Sequence, residues 1–269
     1  MTVWGIVFFI IAICVVIFVH ELGHLITAKM FNVYCHEFSV GMGPKIKTMF
    51  VDKTGTEYNL RLIPLGGFVQ IAGEEIDKEL DKDVPKDQKL DNKNWWQRII
   101  ILFAGTFNNM LLCLLIMIIL SVTNTTPNMF NGLLITESSN FFQAIVNGCI
   151  NFWNLVEYMF ISLGYLLTHG LQNASGLIGI ADVANQASQQ PLGFQLFFVA
   201  FISLNIGIAN QLPIPMLDGG RIVLVLYEVI FRRKVNKTVE NILMYGSLAI
   251  LAFIFIATGY FDLKRIFNW

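Results

Sequence analysis

Residues 3–19 contain no polar side chain. At about 1.5 Å per residue a helix through them, continued to Phe31, crosses a hydrocarbon core of roughly 30 Å. Three further runs of this kind follow, at 99–122, 192–212 and 242–258. Backbone amides find no water inside a bilayer, so a chain written this way crosses it as helices. The composition agrees: 55% of the 269 residues are hydrophobic and 14% charged, where soluble domains hold about a quarter charged. The expected fold is an all-α polytopic membrane protein of four transmembrane helices.

The basic residues set the expected orientation. Eleven Lys and Arg lie from Lys29 to Arg98 and five from Arg221 to Lys237, with none from Ile99 to Gly220. The positive-inside rule places 32–95 and 231–238 in the cytoplasm and both termini outside. The segment 144–167 is apolar enough for a fifth crossing, but that would put 231–238 outside, against its charge. It also carries Asn147, Asn151, Asn154 and Glu157. It is read as an outer-side amphipathic or re-entrant element.

Residues 33–75 alternate apolar and polar positions between Gly and Pro breaks, which predicts a small membrane-associated β element on the cytoplasmic side. Residues 74–94 mix charges of both signs and read as a solvated, mobile loop. The N-terminus has no basic region of a cleaved signal peptide. The four cysteines follow neither metal nor disulfide spacing. Nothing points to nucleic acid.

Chemistry enters at His20-Glu21-Leu22-Gly23-His24, an HExxH motif. On a helix, residues four apart share a face, so both imidazoles reach one Zn²⁺ while the glutamate acts as general base. In a soluble chain, two helix-end histidines beside a solvated glutamate are a real competitor. At the end of an apolar run, three ionisable groups at ligand spacing mark a functional site. A catalytic zinc needs a third protein ligand and an open position. His36 and His169 are poor candidates, the first in the β region and the second on the outer side. Asp218 is better, because it follows the third run on the side where the motif sits. Its competing role is the N-cap of a helix starting at Arg221.

HELGH, the block NQLPIPMLDGGR at 210–221 and four spans together resemble the site-2 protease family of intramembrane zinc metalloproteases. The match includes 38–45 (FSVGMGPK), 63–69 (IPLGGFV), 104–109 (AGTFNN) and 175–180 (SGLIGI). In order and spacing it is similar to the regulator-of-sigma-E protease branch. The resemblance implies one intramembrane protease domain over 1–269. It implies His20, His24 and Asp218 as zinc ligands, Glu21 as base and Asn210 as holder of the scissile carbonyl or its oxyanion. Asn109, Asn205, Pro213 and Pro215 resemble substrate-handling residues, and Gly66 and Gly67 would let an extended substrate come close. Interhelical hydrogen bonds and a simple helix break are the plainer roles for the asparagines and prolines.

Three departures stand out. The family's Gly-Pro is Gly105-Thr106 here, and its Ser-Gly-Pro is Ser175-Gly176-Leu177. About twenty residues, Thr123 to Phe142, follow the second span, too few for the PDZ domain many relatives carry there. The expected activity is hydrolysis of peptide bonds within or near transmembrane segments, in single-span proteins or signal peptides, with room for a regulatory membrane partner. The expected location is the bacterial cytoplasmic membrane. A non-proteolytic metal-binding scaffold is the alternative, though metal binding alone would not need Glu21.

Overall fold

The computed structural model describes residues 1–74, 80–128, 132–170 and 174–267. In chain order these form α1 (Val3–Met30), β1 (Cys35–Val51), β2 (Glu57–Ile71), α2 (Trp95–Val122), α3 (Phe141–His169), α4 (Leu177–Ala187), α5 (Leu192–Asn210), α6 (Asp218–Phe231) and α7 (Lys237–Phe267). Four helices are long and apolar enough to cross a membrane: Val3–Met30, Trp95–Val122, Leu192–Asn210 and Thr238–Phe267. They fall on the four expected runs. The last is longer than the hydropathy run at both ends, because Glu240 and the Lys264-Arg265 pair continue the helix beyond its apolar middle.

The chain divides into two compact units. One comprises 1–12, 110–205 and 245–269, the other 13–109 and 206–244. In the first, α3 is a single unbroken helix capped by Asn140, whose side chain accepts from Gln143 N–H. It runs without a break through the whole of 144–167. Its asparagines share one face. Asn147 Nδ2 donates to Glu137 O and Asn154 Nδ2 to Leu133 O. Asn151 both accepts from Ile135 N–H and donates to Ile135 O. The opposite face leaves Phe142, Val146, Trp153 and Phe160 exposed.

The second unit carries the β element. Residues 35–40 of β1 pair with 67–71 of β2, and 45–51 of β1 pair with 57–61 of β2. Residues 37–40 also lie beside 57–60. The strands must bend to do this. Gly41 makes the bend with a φ of +90°, and Arg61 braces it, with Nε and Nη2 on the two Glu37 carboxylate oxygens and Nη1 on Gly43 O. Burial raises the Glu37 carboxyl, but hydrogen bonds from Ser39, Asn59 and Arg61 outweigh it and hold the group below its ordinary value.

The inner half of the hairpin packs Phe38, Val69 and Ile71 against Leu25 and Ala28 of α1 and Ile101 of α2. Burial there pushes the Cys35 thiol up to about 12, an inert core cysteine. The outer half exposes Met42, Ile46, Met49, Phe50 and Ile63. The turn at 52–56 is fastened by Asp52, which accepts from Thr54 N–H and Thr56 N–H and pairs with Lys29 of α1.

One expectation is corrected here. The charged stretch 74–94 was expected to be mobile. Residues 75–79 lie outside the described residues, but 80–94 are tied down. Leu90 is in the core and its N–H donates to Ala72 O, Tyr34 N–H donates to Gln88 O, and Asp81 pairs with His36. Charge density misled because one leucine and the free backbone groups of the sheet decide the path.

Candidate metal centre

Successive turns in the C-terminal half of α1 bring His20 and His24 to one face, both nearly fully buried. Their Nε2 atoms lie 3.2 Å apart. Asp218 Oδ2 lies 3.1 Å from His20 Nε2 and 3.3 Å from His24 Nε2. This is the only such cluster of metal-ligating groups among the described residues. A tetrahedral zinc with bonds of ~2.0–2.1 Å holds its ligand atoms ~3.3 Å apart. The triangle therefore fits three ligands of one zinc.

Asp218 does not act as an N-cap. The cap position of α6 is Leu217, with no side-chain cap bond, and Asp218 is the first helical residue. Its carboxylate sits at the positive end of the helix dipole and faces the histidines. Pro213 and Pro215 lie in the turn leading there, which closes through Ile214 N–H to Leu212 O and Leu217 N–H to Ile214 O. Gly219 and Gly220 pack under that turn: a Cβ on either would come within 2.2 Å of Gln211 O or 2.1 Å of Ile214 O respectively.

Neighbours orient the imidazoles. His24 Nδ1 lies 2.8 Å from Ile101 O. A carbonyl only accepts, so Nδ1 carries the proton and Nε2 keeps its lone pair for a metal. His20 Nδ1 is 3.4 Å from the fully buried Asn109 amide. The atom that faces it is the amide nitrogen Nδ2. Sequence reasoning missed the Ile101 carbonyl, because backbone contacts leave no residue-type signal.

The cradle is shaped by a glycine. A Cβ on Gly105 would lie 2.3 Å from His24 Nε2 and 2.6 Å from His20 Nε2, in the space the three ligand-type atoms converge on. Asn210, the last residue of α5, places Nδ2 3.2 Å from His20 Nε2. Glu21 accepts from Val69 N–H at 3.0 Å. A cavity of about 460 Å³ is walled by Glu21, His24 and Asp218 on one side and Phe68–Ile71 of β2 on another.

Other expected site residues lie elsewhere. Asn205 belongs to the other compact unit and donates to Phe201 O of its own helix. Gly66 has a φ of +96° and packs on Met42, and Gly67 passes so close to Ser39 O that a Cβ would approach within 2.7 Å. Both shape the sheet next to the Phe68–Ile71 wall. Pro215 lines a second cavity of about 220 Å³, bounded by the Arg98–Glu228 and Arg221–Glu74 ion pairs. Asn109 is fully buried beside His20.

A helical HExxH pair, a distant aspartate and four apolar helices define a multi-pass membrane metalloprotease. The model of peptidase family M50, the site-2 protease family, matches residues 8–254, and the chain belongs to that family. Relatives include a predicted zinc metalloprotease of Clostridium perfringens, 28% identical over 94% of this chain and 97% of that protein. A second, in Fusobacterium nucleatum, is 28% identical over 96% and 98%. The regulator of sigma-W protease RasP of Bacillus subtilis is 21% identical over 96% and 98%. The enzyme is thus a zinc metalloprotease.

Proposed function

We propose that this protease cuts peptide bonds inside or beside transmembrane segments of single-span proteins or signal peptides, with one intramembrane protease domain formed by 1–269. The observation that carries the reading is the cavity: the carboxylate of Glu21 and an extended stretch of β2 line it side by side, joined by the Val69 N–H bond. A transmembrane helix hides its amides in its own hydrogen bonds and must unwind before it can be cut. An extended substrate segment regains backbone partners by pairing with a strand. β2 beside Glu21 offers that partner, and the exposed apolar outer half of the hairpin suits a lipid setting.

His20, His24 and Asp218 would hold the zinc. When bound there it supplies Lewis-acid polarisation and makes water acidic enough to attack near neutral pH. Glu21 takes the proton of the attacking water and passes it to the leaving amine. Asn210 donates its amide N–H to the charge that develops on the scissile oxygen. Ile101 O keeps His24 in the tautomer that leaves its Nε2 free, and Asn109 holds the His20 ring from the other side.

The distribution of Lys and Arg favours both termini outside and a site that opens to the cytoplasm, and the bacterial relatives favour a bacterial cytoplasmic membrane. The test is the position of the cut. In vesicles, a tagged single-span substrate with an asparagine-proline break in its apolar stretch should yield fragments whose new ends, by mass spectrometry, fall within or next to that stretch. Cuts confined to a soluble loop would replace this reading with that of a membrane-anchored peptidase acting on soluble segments.

A further inference from the structure

The last turn of α5 is not regular. Gln211 N–H bonds to Ile208 O and Leu212 N–H to Ala209 O, both one residue short of the α-helical step. The tightening frees the carbonyl of Gly207, which in a regular helix would take Gln211 N–H. A buried carbonyl needs a donor. Thr106 of α2 supplies it: its Oγ1–H donates to Gly207 O at 3.0 Å. The same oxygen accepts Gln211 Nε2–H at 2.8 Å. Thr106 is 2% exposed, so water does not compete for either bond.

One hydroxyl thus grips the residue three before Asn210 and the residue after it. Gly207 makes room for the approach, since a Cβ there would lie 3.2 Å from Asn109 Cβ. The grip falls at the position where the family's Gly-Pro motif has lost its proline, a residue that could offer no such bond.

We propose that Thr106, together with Gln211, is a positioning residue that holds the Asn210 amide at its catalytic place. The inference rests on the reading of Asn210 as the donor to the developing oxyanion. Donors of that kind act because they are already in place when charge develops. A turn that swings free removes part of that benefit while leaving the His20, His24 and Asp218 triangle intact.

The experiment is a double-mutant cycle on the full-length, zinc-loaded enzyme, using the tagged single-span substrate in vesicles and a peptide phosphonamidate as the oxyanion mimic. Asn210→Ala should lower kcat by roughly 10²-fold, the usual worth of such a donor. Thr106→Val, which keeps the shape and loses the hydroxyl, should lower kcat by about tenfold and weaken phosphonamidate binding about tenfold, with KM changed less than about twofold. Thr106→Ser, which restores the hydroxyl, should recover to within about threefold of wild type. In the Asn210→Ala background, Thr106→Val should cost less than about twofold more. Zinc content and the visible spectrum of the cobalt-substituted enzyme should be unchanged by Thr106→Val.

Full additivity of the two substitutions, or zinc loss in Thr106→Val, overturns the positioning role and leaves Thr106 as a packing residue. A silent Asn210→Ala fails at an earlier step, the oxyanion reading itself. Phosphonamidate binding and the cobalt spectrum need no turnover, so the cycle can be closed even if cleavage of the model substrate is slow.

Discussion

Asp218 Oδ2 rests 3.1 Å from His20 Nε2 although 198 positions separate the two residues. Bare carboxylate and imidazole groups at that range inside a protein need a shared counter-charge or a shared proton. A zinc ion answers that need for all three ligand-type atoms at once. Purified protein should hold about one zinc per chain. Asp218→Ala should weaken retention severely under dialysis against a mild chelator, read by metal analysis. Unchanged zinc and activity would remove Asp218 from the site.

Gly105→Ala provides a sharper test of the cradle. The added Cβ would sit 2.3 Å from His24 Nε2, against ligand atoms that cannot retreat without losing Ile101 O. The expected outcome is a folded protein, by circular dichroism, with most of its zinc gone. Full zinc occupancy in Gly105→Ala would mean that the metal lies away from this cradle.

Topology follows from the charge distribution. Single cysteines at Asp83 and Lys234 should be labelled by an impermeant reagent from the cytoplasmic side, and one at Asn128 from the outside. Labelling of positions 83 and 234 from opposite sides would require an odd number of crossings between them and end the four-span arrangement.

The hairpin clasp has a pH signature. Burial pushes the Asp52 carboxyl up, but hydrogen bonds from the Lys29 ammonium, the Thr54 hydroxyl and the Thr54 and Thr56 N–H groups outweigh it. The group is held well below the usual carboxylate range. A lowered folded value means that the stabilisation is fully present above the unfolded pKa of about 3.9 and fades as pH falls through the folded one. Wild type should therefore melt above Asp52→Asn at pH 6, and the gap should shrink below about pH 4. A gap of constant size across that range would take the clasp out of the stability account.

Much of the site was legible in the sequence because helical spacing is rigid. The four-residue step from His20 to His24 fixes their shared face without any tertiary knowledge. Asp218 was legible only through the resemblance, since the same letter before Gly219-Gly220 reads equally as a cap. What remained hidden depends on backbone. The roles of Gly105 and the Ile101 carbonyl, and the hydroxyl of Thr106 on Gly207 O, come from two helices in close contact, which no periodicity encodes. Asn109 was read as a substrate residue because its type fits that task. Its burial beside His20 is a tertiary feature with no signal in the residue type. The polar and apolar faces of α3 were legible, but the pairing of Asn147, Asn151 and Asn154 with 133–137 was not, since those partners are all main-chain atoms.

The central claim is that this buried site hydrolyses peptide bonds with Glu21 as the base. Glu21→Gln separates the two jobs of the site, since Glu21 lies outside the metal triangle and its amide replacement can still meet Val69. Proteolysis of the single-span substrate in vesicles should be measured with metal analysis on the same samples. The account predicts a full complement of zinc and cleavage slowed by a factor on the order of 10²–10⁴. Cleavage at the wild-type rate by Glu21→Gln would contradict it and leave the site as a metal-binding scaffold.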